Sequence, residues 1–277
     1  MNKYKFRINV FRTASLCRNF ENETYKYLEN KIIQFPTYLS AGQEYIPATI
    51  SRLTKDKKPS IFGQHRGHST YLSYGGNIRE LIDELLGRPT GCAGGMGGSA
   101  SIHCREIDMY GHDGLMGSQI PISVGYCYSN RKPTIAVMGD ASAEEDYVLG
   151  ALGWASTKKL PILFVVEDNN LSILTEKSVR RNWEVQDVAR AFKMEAHSLT
   201  DDPIDILNHS NGFFKKPTLL NIKTNRLYWH AGAGLDDPDI FDRYKYEMDD
   251  LGAQAEDIHE KTKEMVGKTW KEQLEKQ

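Results

Sequence analysis

Residues 134–146 read TIAVMGDASAEED and residues 160–170 read LPILFVVEDNN, two β-prone apolar runs that each break off into acidic and amide residues. Between them, from Asp146 to Lys158, lies an apolar-patterned segment long enough for a helix. The pattern predicts a βαβ unit with strands at 134–138 and 162–166. Such crossovers are right-handed almost without exception, so both strands deliver their carboxyl ends to one edge of the sheet, where doubly wound folds bind their ligands. Asn169 follows Asp140 by 29 positions, and the unit carries both residues to that edge. A carboxylate, an amide oxygen and a backbone carbonyl near Leu171 are hard donors, few in number; they suit Mg²⁺ or Ca²⁺ and leave positions open for phosphate oxygens. Just past Gly139, the backbone N–H groups of Ala141 and Ser142 are placed to meet the same anion. Taken singly, Asp140 is a common helix cap and Asn169 a common turn residue. Their pairing on one unit is what points to a metal and diphosphate site.

The alternation continues outward from this unit. From Ser60 to about Arg226 there are Gly-rich loops, an amphipathic stretch NIRELIDELLG at 77–87 and a further β-branched run at 218–222. They predict an α/β fold, a doubly wound, mostly parallel sheet with helices on both faces. Residues 1–54 read as a helical arm closing on QEYIPATI, and residues 241–277 as a charged helical tail. In that tail Ile258, Met265, Val266, Trp270 and Leu274 share one stripe and require an apolar partner. No repeat or linker divides the 277 residues, so a single domain with these two extensions is expected.

Composition narrows the class. With 26% charged residues and a net charge of −2, the chain has no surplus of Lys or Arg for a nucleic-acid or membrane surface. The longest apolar run, Leu160–Val166, is too short to span a bilayer, and the first residues lack a signal-peptide apolar region. Cys17, Cys92, Cys104 and Cys127 show no paired spacing, as expected of reduced thiols in a cytosol. Cys92, His103, Cys104 and His112 fit no zinc-loop spacing. The run GMGGSA at 95–100 matches GxGxxA, but no strand precedes it. Its glycines therefore read as close backbone beside a cofactor rather than as a dinucleotide fingerprint.

GDASAEED, the 29-position interval and EDNN resemble the motif by which thiamine diphosphate enzymes hold Mg²⁺ and the cofactor's diphosphate. Upstream, YLSAGQEYIPATI, GQHRGHSTYLSYGGNIRELIDELLGR, GGMGGSASIH and DGLMGSQIPISVG follow in the same order as segments of the alpha subunit of 2-oxo acid dehydrogenases, the decarboxylating component. The likeness covers about residues 30–245. It implies thiamine diphosphate and Mg²⁺ as cofactors, with Asp140, the side chain of Asn169 and the carbonyl of Leu171 as metal ligands. It also implies that Arg66, with His65 where the family often has Tyr, holds diphosphate oxygens, since a guanidinium offers phosphate a charged fork of donors. Gly114 and Met116 would line the aminopyrimidine through backbone groups, and His230, in RLYWHAGAG, would lie over the diphosphate and substrate. His68 and His103 are further candidates for acid–base work, although a lone histidine is more often a hydrogen-bonded structural residue.

The resemblance implies a partner as well. No segment here resembles the pyrimidine-binding domain whose Glu activates the cofactor, so a beta-type subunit in an α2β2 assembly is expected, and the chain alone is expected to be inactive. The implied reaction is decarboxylation of a 2-oxo acid and transfer of the acyl or aldehyde unit to an acceptor such as an aldehyde or keto sugar. Two features depart from the family. Ala141 stands where GDG is usual, and a positive φ there would cost about 1 kcal/mol against Gly. Gly232 and Ala233 occupy the region where dehydrogenases carry a second histidine in a phosphorylatable loop, which argues against transfer to a lipoyl arm. The first half of a split transketolase and a non-catalytic subunit of the same fold remain alternative readings.

Overall fold

A computed structural model describes residues 2–276. Its strands, in chain order, are β1 (Ser60–Phe62), β2 (Met109–Tyr110), β3 (Thr134–Gly139), β4 (Ile162–Asp168), β5 (Leu171–Ser172), β6 (Thr175–Glu176), β7 (Glu195–Thr200) and β8 (Thr218–Lys223). Six form one sheet in the order β2-β1-β3-β4-β8-β7, every neighbouring pair parallel. β5 and β6 form a separate antiparallel ribbon. The helices are α1 (Lys3–Glu29), α2 (Tyr45–Thr54), α3 (His68–Ser73), α4 (Ile78–Leu85), α5 (Gln119–Asn130), α6 (Asp146–Thr157), α7 (Lys177–Arg180), α8 (Val185–Ala191), α9 (Pro203–Asn208), α10 (Arg243–Leu251) and α11 (Ala253–Leu274).

The expected βαβ unit is β3–α6–β4, and its strands run slightly beyond the apolar core into Gly139 and Asp168. Successive side chains of a strand face opposite ways, and both sets are buried here. Ala136, Met138, Phe164 and Val166 join Val124, Val148 and Leu152 of α5 and α6 in one cluster. Ile135, Val137, Leu163 and Val165 join Ile46, Ile50 and Ile206 of α2 and α9 in another. A sheet covered on both faces has no room for alternating polar residues, which is why these strands are continuously apolar.

The expected N-terminal arm is helical and packs into the core. α1 and α2 are separated by a non-helical stretch, residues 30–44, and α1 buries Phe11, Cys17 and Phe20. α11 packs along α1: Trp270 is fully buried, its ring 4.6 Å from that of Tyr27 and 5.9 Å from that of Phe20. Ile258, Val266 and Trp270 make the buried stripe, whereas Met265, at the edge of that stripe, turns outward and is 43% exposed. No described helix is long and apolar enough to cross a membrane.

The stretch before α2 depends on Gly42. Its φ is +97°, and a Cβ there would lie 2.2 Å from the carbonyl oxygen of Asn225. Both strain and a backbone clash oppose any side chain, so Gly42→Ala is expected to destabilise the protein by more than about 2 kcal/mol, read as a fall in the denaturation midpoint.

Candidate active site

Along the sheet the chain steps from β1 to β2 in one direction and from β3 to β4 in the other, which leaves a crevice at the carboxyl ends of β1 and β3. A cavity of about 180 Å³ lies there. The segment after β1 supplies Gln64, His65 and Arg66; the end of β3 and the turn after it supply Gly139, Asp140, Ala141 and Ser142; the segment after β4 supplies Asn169, Leu171 and Ile173; the chain after β8 supplies Arg226 and His230, and Met116 completes the wall. The register sets this convergence, because Gly139 pairs with Glu167, so Asp140 leaves β3 level with Asp168, the last residue of β4, and Asn169 follows directly.

One wall is acidic. Asp140 is almost wholly buried, and its carboxyl is pushed above the usual range by burial first and by the nearby charge of Asp168 second. Arg180 and Arg181 act the other way: Arg180 donates through Nη2 to Asp140 Oδ2 and through Nη1 to Glu144 Oε1 at 2.5 Å. Arg181 Nη1 donates to the Asp140 carbonyl at 2.8 Å and to Glu144 Oε1 at 3.1 Å. Asn169 directs Nδ2 to Gln43 Oε1 at 2.8 Å and accepts the Leu171 N–H on Oδ1 at 3.0 Å, a tight turn that keeps Leu171 beside Asn169. Asp140, Asn169 and the Leu171 carbonyl could together hold a hard divalent cation. Arg180 competes for Asp140 in that role. Arg180→Met is expected to tighten binding of Mn²⁺ alone by about tenfold, or about 1.4 kcal/mol, because one like charge is removed while Arg181 retains Glu144. Loss of free Mn²⁺ resonance signal on titration measures it.

The same cavity has basic residues. Arg66 is buried, its guanidinium fixed by Nη1 to the Leu39 carbonyl at 2.8 Å and Nη2 to the His230 carbonyl at 3.0 Å. Burial and the neighbouring Arg226 lower its pKa to about 10, so it remains charged at neutral pH. Arg226 is tied to Asp236 and to the Ile173 carbonyl. His65 is pushed down to about 2 by burial and Arg66, and His230 down to about 4 by burial, Arg66 and Arg226. Both rings are neutral. Arg66 Nη2 lies 3.2 Å from His230 Nδ1, and since arginine only donates, that nitrogen accepts and Nε2 carries the proton. The Tyr38 ring packs edge-on against His65 at 5.0 Å and His230 at 5.4 Å. A cavity that gathers a buried carboxylate and a buried guanidinium suits a cation bound to an anion.

Three expectations need correction. His68 is not at the cavity: it is fully buried, with Nδ1 3.1 Å from Glu21 Oε1 and Nε2 2.8 Å from Ser99 Oγ, so both nitrogens are committed to the scaffold. His103 lies elsewhere: it is exposed, lines a second cavity with Cys92, Cys104 and Arg105, and accepts the Gly111 N–H at 3.2 Å. The glycine run does not line this cavity, and its amides have a partner within the protein. The Glu84 carboxylate, buried at the end of α4, accepts the N–H groups of Ala93 (2.7 Å), Gly95 (2.9 Å), Gly97 (2.8 Å) and Gly98 (2.9 Å). Such a concavity of amides is an anion nest, and here the anion is internal.

Ala141 carries no strain, since its φ of −69° and ψ of −39° are ordinary for any residue and lead into a 3₁₀ turn over Ser142–Glu144. Gly114 has a φ of +98° and stands on an exposed loop outside the cavity's wall, two residues before Met116. Gln43, Gln64, Glu167, Arg180 and Arg226 were missed by the sequence reading. Only the proximity of Gln64 to Arg66 and of Glu167 to Asn169 along the chain hinted at two of them.

A parallel α/β sheet with a cleft at its switch point is a doubly wound, ligand-binding architecture. The fold superposes on transketolase of Campylobacter jejuni with a TM-score of 0.60 at 16% identity, over 100% of this chain and 49% of that one. The chain belongs to the dehydrogenase E1 component family, whose model matches residues 11–277. It is 26% identical over 274 residues to the mitochondrial pyruvate dehydrogenase E1 component subunit alpha-1 of Arabidopsis thaliana, covering 94% of this chain and 68% of that protein. It is also 26% identical over 258 residues to the pyruvate dehydrogenase E1 component subunit alpha of Zymomonas mobilis, covering 88% of this chain and 72% of that one.

Proposed function

We propose that this chain is the alpha-type half of a heteromeric thiamine diphosphate enzyme that decarboxylates a 2-oxo acid and passes on the acyl or aldehyde unit. The observation that carries the reading is that one cavity gathers Asp140, Asn169 and Leu171 together with Arg66, His65 and His230. Its donor set fits the cofactor: hard oxygens for Mg²⁺, and for the diphosphate a buried guanidinium. Membership of the E1 family and likeness to the alpha subunits support thiamine diphosphate over other diphosphates.

The chemistry that the bound cofactor supplies is carbon–carbon bond cleavage beside a carbonyl, with a thiazolium ring as electron sink. The chain's own residues bind and orient. Asp140, the Asn169 carboxamide and the Leu171 carbonyl hold the cation; Arg66, fixed by two carbonyls, gives its remaining N–H groups to phosphate oxygens. His230, neutral and protonated on Nε2, offers one hydrogen bond to an oxygen without adding charge. A beta-type partner contributes the pyrimidine-binding half and its Glu, completing an α2β2 enzyme.

The test is CO₂ release from pyruvate by the chain copurified with its beta-type partner, in the presence of thiamine diphosphate and Mg²⁺. Release supports the reading. Ketol transfer from a ketose phosphate without CO₂ would favour the transketolase alternative, and failure to bind the cofactor in calorimetry would overturn both.

A further inference from the structure

We infer that Gln43 and Glu167 are positioning residues for Asn169, setting which end of its carboxamide faces the metal. The inference rests on the proposed function and deepens it. A carboxamide has an oxygen that can ligate a hard cation and an NH₂ that cannot; the two ends have nearly the same shape, so hydrogen bonds must choose between them. At Asn169 the choice is made twice. Nδ2 donates to Gln43 Oε1 at 2.8 Å, and Oδ1 accepts the Leu171 N–H at 3.0 Å. Rotation of the amide by half a turn would set NH₂ against N–H and oxygen against oxygen.

Gln43 carries the same ambiguity, and Glu167 resolves it. Gln43 Nε2 donates to Glu167 Oε2 at 3.3 Å, and Gln64 Nε2 donates to that same oxygen. Gln43 and Glu167 are both buried, 1% and 3% exposed, so water does not offer an alternative partner. Polarity therefore runs in one direction, from the buried carboxylate through the Gln43 amide to the Asn169 amide, and ends on an oxygen. Glu167 and Asn169 are two residues apart where β4 leaves the sheet, while Gln43 comes from the stretch preceding α2. The metal ligand is thus keyed to a segment more than a hundred residues away in sequence, with a separation of 126 positions.

The experiment is titration of Mn²⁺ into the chain copurified with its beta-type partner, in the presence of thiamine diphosphate, followed by the free-ion resonance signal, for wild type, Gln43→Met, Asn169→Asp and the double variant. Gln43→Met is expected to weaken Mn²⁺ binding roughly tenfold, the scale of effect for an outer partner of a metal ligand. Asn169→Asp makes both terminal atoms oxygens, so orientation no longer matters, and adding Gln43→Met to it is expected to change affinity less than about twofold. Equal losses in both backgrounds would mean a merely structural role and overturn the inference, as would unchanged affinity in the single variant. Should Gln43→Met not fold, exchange of the Asn169 side-chain amide protons in wild type decides: slow exchange is expected, and rapid exchange overturns the inference. If wild type itself binds no Mn²⁺ with thiamine diphosphate, the proposed function falls and this inference with it; wild-type binding with an insensitive Gln43→Met removes this inference alone.

Discussion

Changing Asp140 to alanine is expected to weaken binding of thiamine diphosphate with Mg²⁺ by at least about a hundredfold while leaving the unfolding temperature nearly unchanged. The affinity loss follows from the donor set. Outer partners of metal ligands are worth ten- to a hundredfold, so loss of the one charged direct ligand reaches at least the upper end. Stability behaves differently because burial already disfavours the Asp140 carboxylate, as its raised pKa records. Arg180, its main partner, keeps a second carboxylate in Glu144 at 2.5 Å. Calorimetric titration paired with thermal denaturation separates the two quantities. Affinity within twofold of wild type would remove Asp140 from the metal site, and a large drop in unfolding temperature would mean that its first duty is structural.

The second large effect is expected far from any ligand. Glu84→Ala would strip four backbone N–H groups of a charged acceptor. Each such bond is worth about 1.5–3 kcal/mol, and part of that is recovered because water reaches this loop, which leaves a net cost of about 4 kcal/mol. For a chain of this size that is a fall of roughly 10 °C in melting temperature. Glu84→Gln should also be costly, since its NH₂ would face donors. The damage should spread: Ser99, at the end of the run, accepts the Tyr38 N–H at 2.8 Å, and Tyr38 packs against His65 and His230. A Glu84→Ala protein within 1 kcal/mol of wild type in denaturant titration would show that the nest does not hold the loop.

What the sequence revealed, and what it hid, follows from how far each interaction reaches. β3, α6 and β4 were legible because an inner strand covered on both faces is apolar throughout, and the acidic and amide residues at its end mark where it leaves the core. β7 was not, because EAHSLT on the sheet's margin mixes polar and apolar residues, and β1 and β2 are too short to form a pattern. The partner of Gly95, Gly97 and Gly98 was hidden for a related reason: an anion nest looks alike in sequence whether a ligand or Glu84 fills it. The cavity-wall residues within a quoted motif, such as Arg66 and Asn169, could be named from the chain alone. Gln43 and Arg180 could not be assigned their partners, since each meets Asn169 or Asp140 only after distant segments are folded together.

The unequal lengths of the strands have a mechanical consequence. Asp140 and Asn169 extend from β3 and β4, six and seven residues long and paired along their whole length. Arg66 and His65 extend from β1, three residues long, whose outer neighbour β2 has only two. The cleft is therefore stiff on its cation side and compliant on its anion side. Backbone amides of residues 60–66 should exchange with solvent before those of 134–140, and the ordering that accompanies ligand capture should be concentrated in the former.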